Sequence, residues 1–279
     1  VLDRTPKLFI GGKQARPDSG YSLAVQGAGG RTVGEVGDGN RKDLRNAVEA
    51  AHAAEGWGRS TGHLRAQILF YIAENLSVRA EEFARRIRSM TGVSAVAAKA
   101  EVEASISRLF TYGAWADKFD GAVHNVPIRG VALAMNEPIG VLGLACPEEF
   151  PLLGFVSLVA PALAMGNTVV ALPSSAHPLA ATDFYSVLET SDLPGGVVNI
   201  VTGAKEALAK VLAEHDDVDG VWHFGSQAGA AAVERASAAN MKRTWTEWQG
   251  RDWLGAAGEG REFLRHATEV KNIWIPYGE

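Results

Sequence analysis

The sequence predicts an α/β protein: a doubly wound, Rossmann-like parallel sheet with N-terminal helices and a small β flap set apart from it. Three observations carry this. From Gly140 to Trp248, short apolar runs alternate with helical periodicity in the order of repeated βα units, the signature of a parallel sheet covered by helices. Ahead of that region, residues 41–119 repeat apolar positions at three- and four-residue spacing. Between the two lies an extended, proline-marked stretch, and a second extended run closes the chain.

The elements follow in order. Lys7 to Gly12, Tyr21 to Gln26 and Thr32 to Val36 are short apolar runs between glycine-rich breaks, and they predict strands. Arg41 to His52, with Leu44, Ala47, Val48 and Ala51 on one face, predicts a helix, as do Leu64 to Leu76 and Phe83 to Met90. Ser94 to Phe119 predicts a fourth and longer one, with Val102, Ile106, Leu109, Phe110 and Trp115 along a stripe. Val123 to Met135 then reads as a hairpin pivoting near Arg129-Gly130.

Strands at Gly140–Ala145, Thr168–Leu172 and Val197–Val201 alternate with helices at Leu152–Met165 and Leu179–Glu189. A helix around Ala204–His215, a strand at Gly220–Phe224, a helix opened by Gly225-Ser226 and a strand at Arg243–Trp248 complete the series. The last segment, Glu259 to Glu279, reads as a polar turn and one more strand carrying Val270, Ile273, Trp274 and Ile275. No internal repeat or low-complexity tract is present.

Composition narrows the function. The chain has 279 residues, 47% of them hydrophobic, enough for one or two domains with a real core. A net charge of −5 without a basic stripe argues against nucleic acid as a partner. A lone cysteine, Cys146, rules out an intrachain disulfide and a Cys-based zinc cluster, and it fits a reducing, cytoplasmic setting. No apolar stretch reaches membrane-spanning length, since Phe155 to Ala164 is interrupted by Ser157 and Pro161. The seven histidines show no metal-ligand spacing, and the Asp216-Asp217-Val218-Asp219 run lacks the later Glu of a calcium loop, so no metal is expected. The opening Val1-Leu2-Asp3-Arg4 has neither a basic n-region nor an apolar h-region, and the chain reads as a piece of something longer.

Several runs carry a family resemblance. Glu137-Pro-Ile-Gly-Val-Leu-Gly143, Pro147-Glu-Glu-Phe-Pro151, Ala160-Pro-Ala-Leu-Ala-Met-Gly-Asn-Thr-Val169 and Asp192-Leu-Pro-Gly-Gly-Val-Val-Asn-Ile-Val-Thr-Gly203 closely resemble the nucleotide-binding half of aldehyde dehydrogenases. Leu8-Phe-Ile-Gly-Gly-Lys13 resembles the family's N-terminal strand, and Thr246-Glu-Trp-Gln-Gly-Arg251 its Leu-Glu-Leu-Gly-Gly-Lys segment. In the family that segment leads into a catalytic domain carrying the nucleophilic cysteine. Here only residues 252–262 intervene before Phe263, too few for a domain of roughly 50 residues or more. Arg265-His-Ala-Thr-Glu-Val-Lys-Asn-Ile-Trp-Ile-Pro276 then resembles the family's C-terminal oligomerisation strand. The arrangement is most similar to the incomplete second dehydrogenase unit of the tandem family-16 aldehyde dehydrogenases.

The resemblance implies a nucleotide-binding-type domain over residues 1–121 and 138–258, an oligomerisation flap over 122–137 and 259–279, and no catalytic domain. Cys146, at a strand end and away from the family's nucleophile position, reads as a small buried side chain. Glu149 stands where the family has its oxyanion Asn, with Glu148 in place of a Trp, and a carboxylate there would repel an oxyanion. These two glutamates are expected to point apart as solvated charges. Glu247 occupies the general-base position without a nucleophile beside it and reads as a retained polar residue at a strand end.

Gly225-Ser226 resembles the family's Gly-Ser-Thr turn and would offer backbone N–H groups to a pyrophosphate. The ribose-holding Lys-Pro-Ala-Glu motif, however, has become Leu172-Pro173-Ser174-Ser175, Gly229 comes one residue early, and Trp222, His223 and Phe224 are expected to crowd the cleft. No cofactor is therefore expected in this chain, with NAD left to a parent enzyme. The expected role is structural: assembly with its own copies or with a catalytic aldehyde dehydrogenase domain through Val270, Ile273, Trp274 and Ile275. Two alternatives stand beside it, a residual dinucleotide-binding or regulatory module, and the tail of an active aldehyde dehydrogenase whose catalytic unit lies upstream.

Overall fold

The structure, a computed structural model, describes residues 6–277, so the opening tetrapeptide and the last two residues of the C-terminal segment lie outside the described residues. Strands β1 (Leu8–Ile10) and β2 (Lys13–Ala15) form a hairpin, and β3 (Ser22–Gln26) pairs with β4 (Thr32–Gly37) in a separate ribbon. Helices α1 (Arg41–Ala53), α2 (Gly62–Val78), α3 (Ala80–Thr91) and α4 (Ala95–Trp115) follow. The start of α1 is fixed by a reciprocal cap, Asn40 accepting from the Asp43 backbone while the Asp43 carboxylate accepts from Asn40 N at 3.0 Å. Gly92 ends α3 in the left-handed region, where a side chain would strain the backbone.

The doubly wound part runs β7 (Val141–Ala145), α5 (Leu153–Ala164), β8 (Thr168–Leu172), α6 (Leu179–Asp183), α7 (Tyr185–Glu189), β9 (Val198–Ile200), α8 (Lys205–Glu214), β10 (Gly220–Phe224), α9 (Gln227–Ser237) and β11 (Arg243–Glu247). The sheet order is β11-β10-β7-β8-β9-β1-β2. The five strands from β7 to β11 are parallel, and β1 and β2 are added antiparallel at one edge. This is the Rossmann-like architecture expected. One predicted helix, Leu179–Glu189, is split into α6 and α7 at Phe184, whose ring packs edge-on against Phe83 and Phe155.

Every residue of α5 is buried, so its N-terminal amides need partners from elsewhere. Glu101 of α4 supplies one: its buried carboxylate accepts from Leu152 N at 2.9 Å and Leu153 N at 3.3 Å. Burial pushes the Glu101 carboxyl above its ordinary value, while these two amides pull the other way.

A second, three-stranded sheet has the order β12-β6-β5, from β5 (Ala122–Asn125), β6 (Gly130–Pro138) and β12 (Thr268–Pro276). β12 pairs antiparallel with β6 along its whole length, from Thr268 opposite Pro138 to Pro276 opposite Gly130. The buried Asn167 ties this sheet to the body. Its Oδ1 accepts from Ile139 N at 2.8 Å and Gly140 N at 3.0 Å, and its Nδ2 donates to Ala162 O at 3.1 Å and Ala267 O at 2.8 Å. One side chain thus fixes both points at which the chain passes between the sheets. Ahead of β12 stands a helix where the sequence reads as a turn, α10 (Arg261–His266). Its Phe263 and Leu264 lie in the main core rather than in the small sheet.

Candidate functional site

In open parallel sheets ligands bind beyond the carboxyl ends of the strands, where the strand order reverses. Here that point lies between β7 and β10, and a crevice of about 420 Å3 opens there. Pro147 and Glu148 line it from β7, Gly225 and Ser226 from the start of α9, Lys205 and Glu206 from α8, and Glu247 to Arg251 from the end of β11. The fold therefore brings together Glu149, Glu247, Gly225 and Ser226, the positions the sequence singles out. Cys146 sits next to them but is buried.

The Cys146 thiol is pushed up to about 12 by burial, which keeps it protonated at neutral pH. Glu247 is gripped by Arg251, whose Nε and Nη2 donate to its two carboxylate oxygens at 2.6 and 2.7 Å. Arg251 also bonds Glu262 at 2.9 Å and lies over the rings of Phe224, Trp245 and Phe263 at 5.2–5.8 Å. Burial alone would depress its guanidinium, but the hydrogen bonds it donates to Glu247 and Glu262 outweigh that and hold it above its ordinary value.

Glu148 and Glu149 do point apart, but only Glu149 stays an exposed charge, while Glu148 is drawn into a network of protein partners. Glu148 forms an ion pair with Lys205 and accepts from Ser174 Oγ at 2.7 Å and Ala176 N at 3.0 Å. Burial raises its carboxyl, yet these partners together hold it below its ordinary value. Glu149 accepts from Trp253 Nε1 at 3.3 Å. Lys205, buried and donating also to Cys146 O at 2.7 Å, is a site residue the sequence reading missed. Its only signal is its place at the first turn of α8.

The expected crowding is narrower than three residues. Trp222 and Phe224 face one side of the sheet and pack against Trp245, while His223 faces the other, its Nε2 3.0 Å from Glu206 Oε2. Of the three, Phe224 lines the crevice. Two amides at the α9 start are already engaged: Gly225 N donates to Glu247 O at 3.1 Å and Gly229 N to Ser226 Oγ at 3.0 Å. Leu172, at the position of the ribose-holding Lys that the family resemblance implies, is buried, and Ser174, one residue before the position of the Glu, is committed to Glu148.

Trp253, from the segment after β11, closes one side of the site. Trp253 is buried, and Arg108 of α4 donates to Trp253 O at 2.6 Å and to Gly258 O while pairing with Glu259 at 3.1 Å. Among the described residues no group of three His, Cys, Asp or Glu could hold a metal ion, and no helix is long and apolar enough to cross a membrane.

Comparison with known proteins agrees with this architecture. The aldehyde dehydrogenase family profile matches residues 18–255, and the chain belongs to that family. An aldehyde dehydrogenase of Agaricus bisporus is 32% identical over 250 residues, covering 88% of this chain and 50% of the relative. Retinaldehyde dehydrogenase 3 of Rattus norvegicus is 33% identical over 254 residues, with 88% and 49% covered. Among solved structures, an indole-3-acetaldehyde dehydrogenase in its apo form superposes with a TM-score of 0.84 at 30% identity, over 90% of this chain and 60% of that one. Betaine aldehyde dehydrogenase of Staphylococcus aureus in complex with NAD+ gives 0.84 at 25% identity, over 88% and 50%. The chain spans about half the length of the curated relatives it matches.

Proposed function

We propose that this chain is a non-catalytic aldehyde dehydrogenase module whose role is assembly. In this reading it is the C-terminal part of a longer NAD-dependent aldehyde dehydrogenase, similar to the incomplete second unit of the tandem family-16 enzymes. The observation that carries it is the internal connection from β11 to β12. Residues 248–267 fold back on the body through Trp253, Phe263 and Leu264 and deliver the chain directly to β12, leaving no catalytic domain between them. Glu247, at the general-base position, is engaged on both carboxylate oxygens by Arg251, and the one thiol is buried.

The side chains around the crevice do not fit NAD, which its homologue from Staphylococcus aureus holds. Its two cations, Lys205 and Arg251, are already paired, and the ribose-anchor positions carry Leu172 and Ser175. The partner is a second copy or a catalytic aldehyde dehydrogenase domain. Val270, Trp274 and Ile275, which are exposed on β12, and the half-buried Ile273 are the contacting residues. The test is the aldehyde-dependent reduction of NAD by the chain alone. None is expected, with wild type and Cys146→Ala alike; steady turnover abolished by Cys146→Ala would overturn the reading.

A further inference from the structure

The reading that this chain does not hold NAD leaves open what keeps phosphates out of its crevice, and the inference rests on that reading. Glu206, the second residue of α8, reaches across to the start of α9, where its Oε2 lies 3.0 Å from His223 Nε2. A methyl group built on Gly229 would overlap that oxygen, and one on Gly225 would come within 3.0 Å of Oε1. The carboxylate is therefore seated against both glycines, the two places where bare backbone would let a phosphate approach the helix. His223 is fully buried, its Nδ1 has no partner, and Glu206 is what its other nitrogen faces.

The charge around this carboxylate points the same way. Glu148, Glu149, Glu206 and Glu247 all line the crevice, against Lys205 and Arg251. Lys205 is engaged by Glu148 and the Cys146 carbonyl, and Arg251 by Glu247 and Glu262. Carboxylates outnumber cations, and neither cation is left to meet an incoming anion.

We propose that Glu206, steadied by His223, is the specificity-determining residue of this crevice. Its carboxylate stands as a built-in anion at the α9 N-terminus and denies that place to the phosphates of a dinucleotide. The loss of dinucleotide binding is then an active exclusion, written on α8, and does not depend on the ribose anchors alone.

Inorganic pyrophosphate separates the two causes, because it needs no ribose anchor. Calorimetric titration of the full chain is compared with Glu206→Gln, which keeps the size and removes the charge, and with Glu206→Ala, which removes the group. Glu103→Gln, exposed on α4 and paired with Lys99, removes the same charge outside the crevice. Wild type and Glu103→Gln should give no saturable binding at millimolar pyrophosphate. Both Glu206 variants should bind at least about tenfold more tightly than the limit set by wild type, and less so as salt is added. Glu206 variants that bind no better than Glu103→Gln, or a wild type that binds as well as they do, would overturn the proposal. A saturable isotherm for NAD on wild type would instead count against the functional reading beneath it.

Discussion

Arg251 holds both carboxylate oxygens of Glu247 in a two-pronged contact, 2.6 Å through Nε and 2.7 Å through Nη2, from four positions further along the chain. A planar guanidinium matches a carboxylate in this way, and it lies over the rings of Phe224, Trp245 and Phe263, which pack edge-on around Trp245. The same fork reaches Glu262 at the start of α10. It therefore joins the end of β11 to the segment that leads into β12.

Removing Arg251 should accordingly be costly. Arg251→Ala leaves Glu247 without its partner and the aromatic cluster without its lid, and a loss of about 3 kcal/mol in unfolding free energy is expected. Arg251→Lys should recover only part, since an ammonium cannot make the fork. Urea unfolding midpoints check both. A midpoint for Arg251→Ala equal to wild type would show that the contact is ornamental.

Glu101 gives a prediction with a pH signature. Its carboxyl is raised by burial, so the folded state binds a proton more readily than the unfolded state between the ordinary carboxyl value and the raised one. This group's contribution to stability is fully present below the ordinary value and lost as pH rises through the folded one. Glu101→Gln keeps an acceptor for Leu152 N and Leu153 N and should lie within about 1 kcal/mol of wild type at neutral pH, while removing this slope. Glu101→Ala bares both amides and should cost about 2 kcal/mol. Stability measured from pH 7 downward decides it, and parallel curves for wild type and Glu101→Gln would refute the assignment.

Asn167 should matter more than its size suggests. Asn167→Ala leaves Ile139, Gly140, Ala162 and Ala267 with lost hydrogen bonds at the two junctions between the sheets. A loss of about 2–3 kcal/mol is expected. Amide exchange in β6 and β12 should rise while β7 and β8 stay protected, apart from any global loss. Uniform exchange across both sheets would contradict the anchoring role.

Much of this arrangement is legible in the sequence because the burial is local and periodic. Thr168–Leu172 and Gly220–Phe224 are strands at the predicted bounds, since each is an apolar run buried on both faces between clear breaks. β2 escapes the same reading because Lys-Gln-Ala has no apolar alternation and is a strand only through its pairing with β1. α10 escapes because six residues are too few to show a period, and it is held by Phe263 and Leu264 in a core formed by distant elements.

The candidate site divides along the same line. Glu149, Glu247, Gly225 and Ser226 are found from the motifs that surround them. Lys205, Glu206, Arg108 and Glu101 act through partners far away in sequence, and single residues of that kind leave no pattern. The pairings that fill the crevice become visible only once α8 and α9 lie side by side.

The proposed assembly role rests on β12. Its far edge has no strand beside it among the described residues, and its exposed Val270, Trp274 and Ile275 invite pairing with another sheet. A biological contact there should bury at least roughly 1,000 Å2. Sedimentation of the full chain against a chain ending at Ala267 is the direct measurement, with circular dichroism to follow the fold. The shortened chain should sediment as a monomer with its parallel sheet intact, because the apolar core around β7, α5 and β8 contains no residue of β12. The full chain should sediment as an oligomer. An identical mass for the two, with the fold intact in both, would contradict the claim.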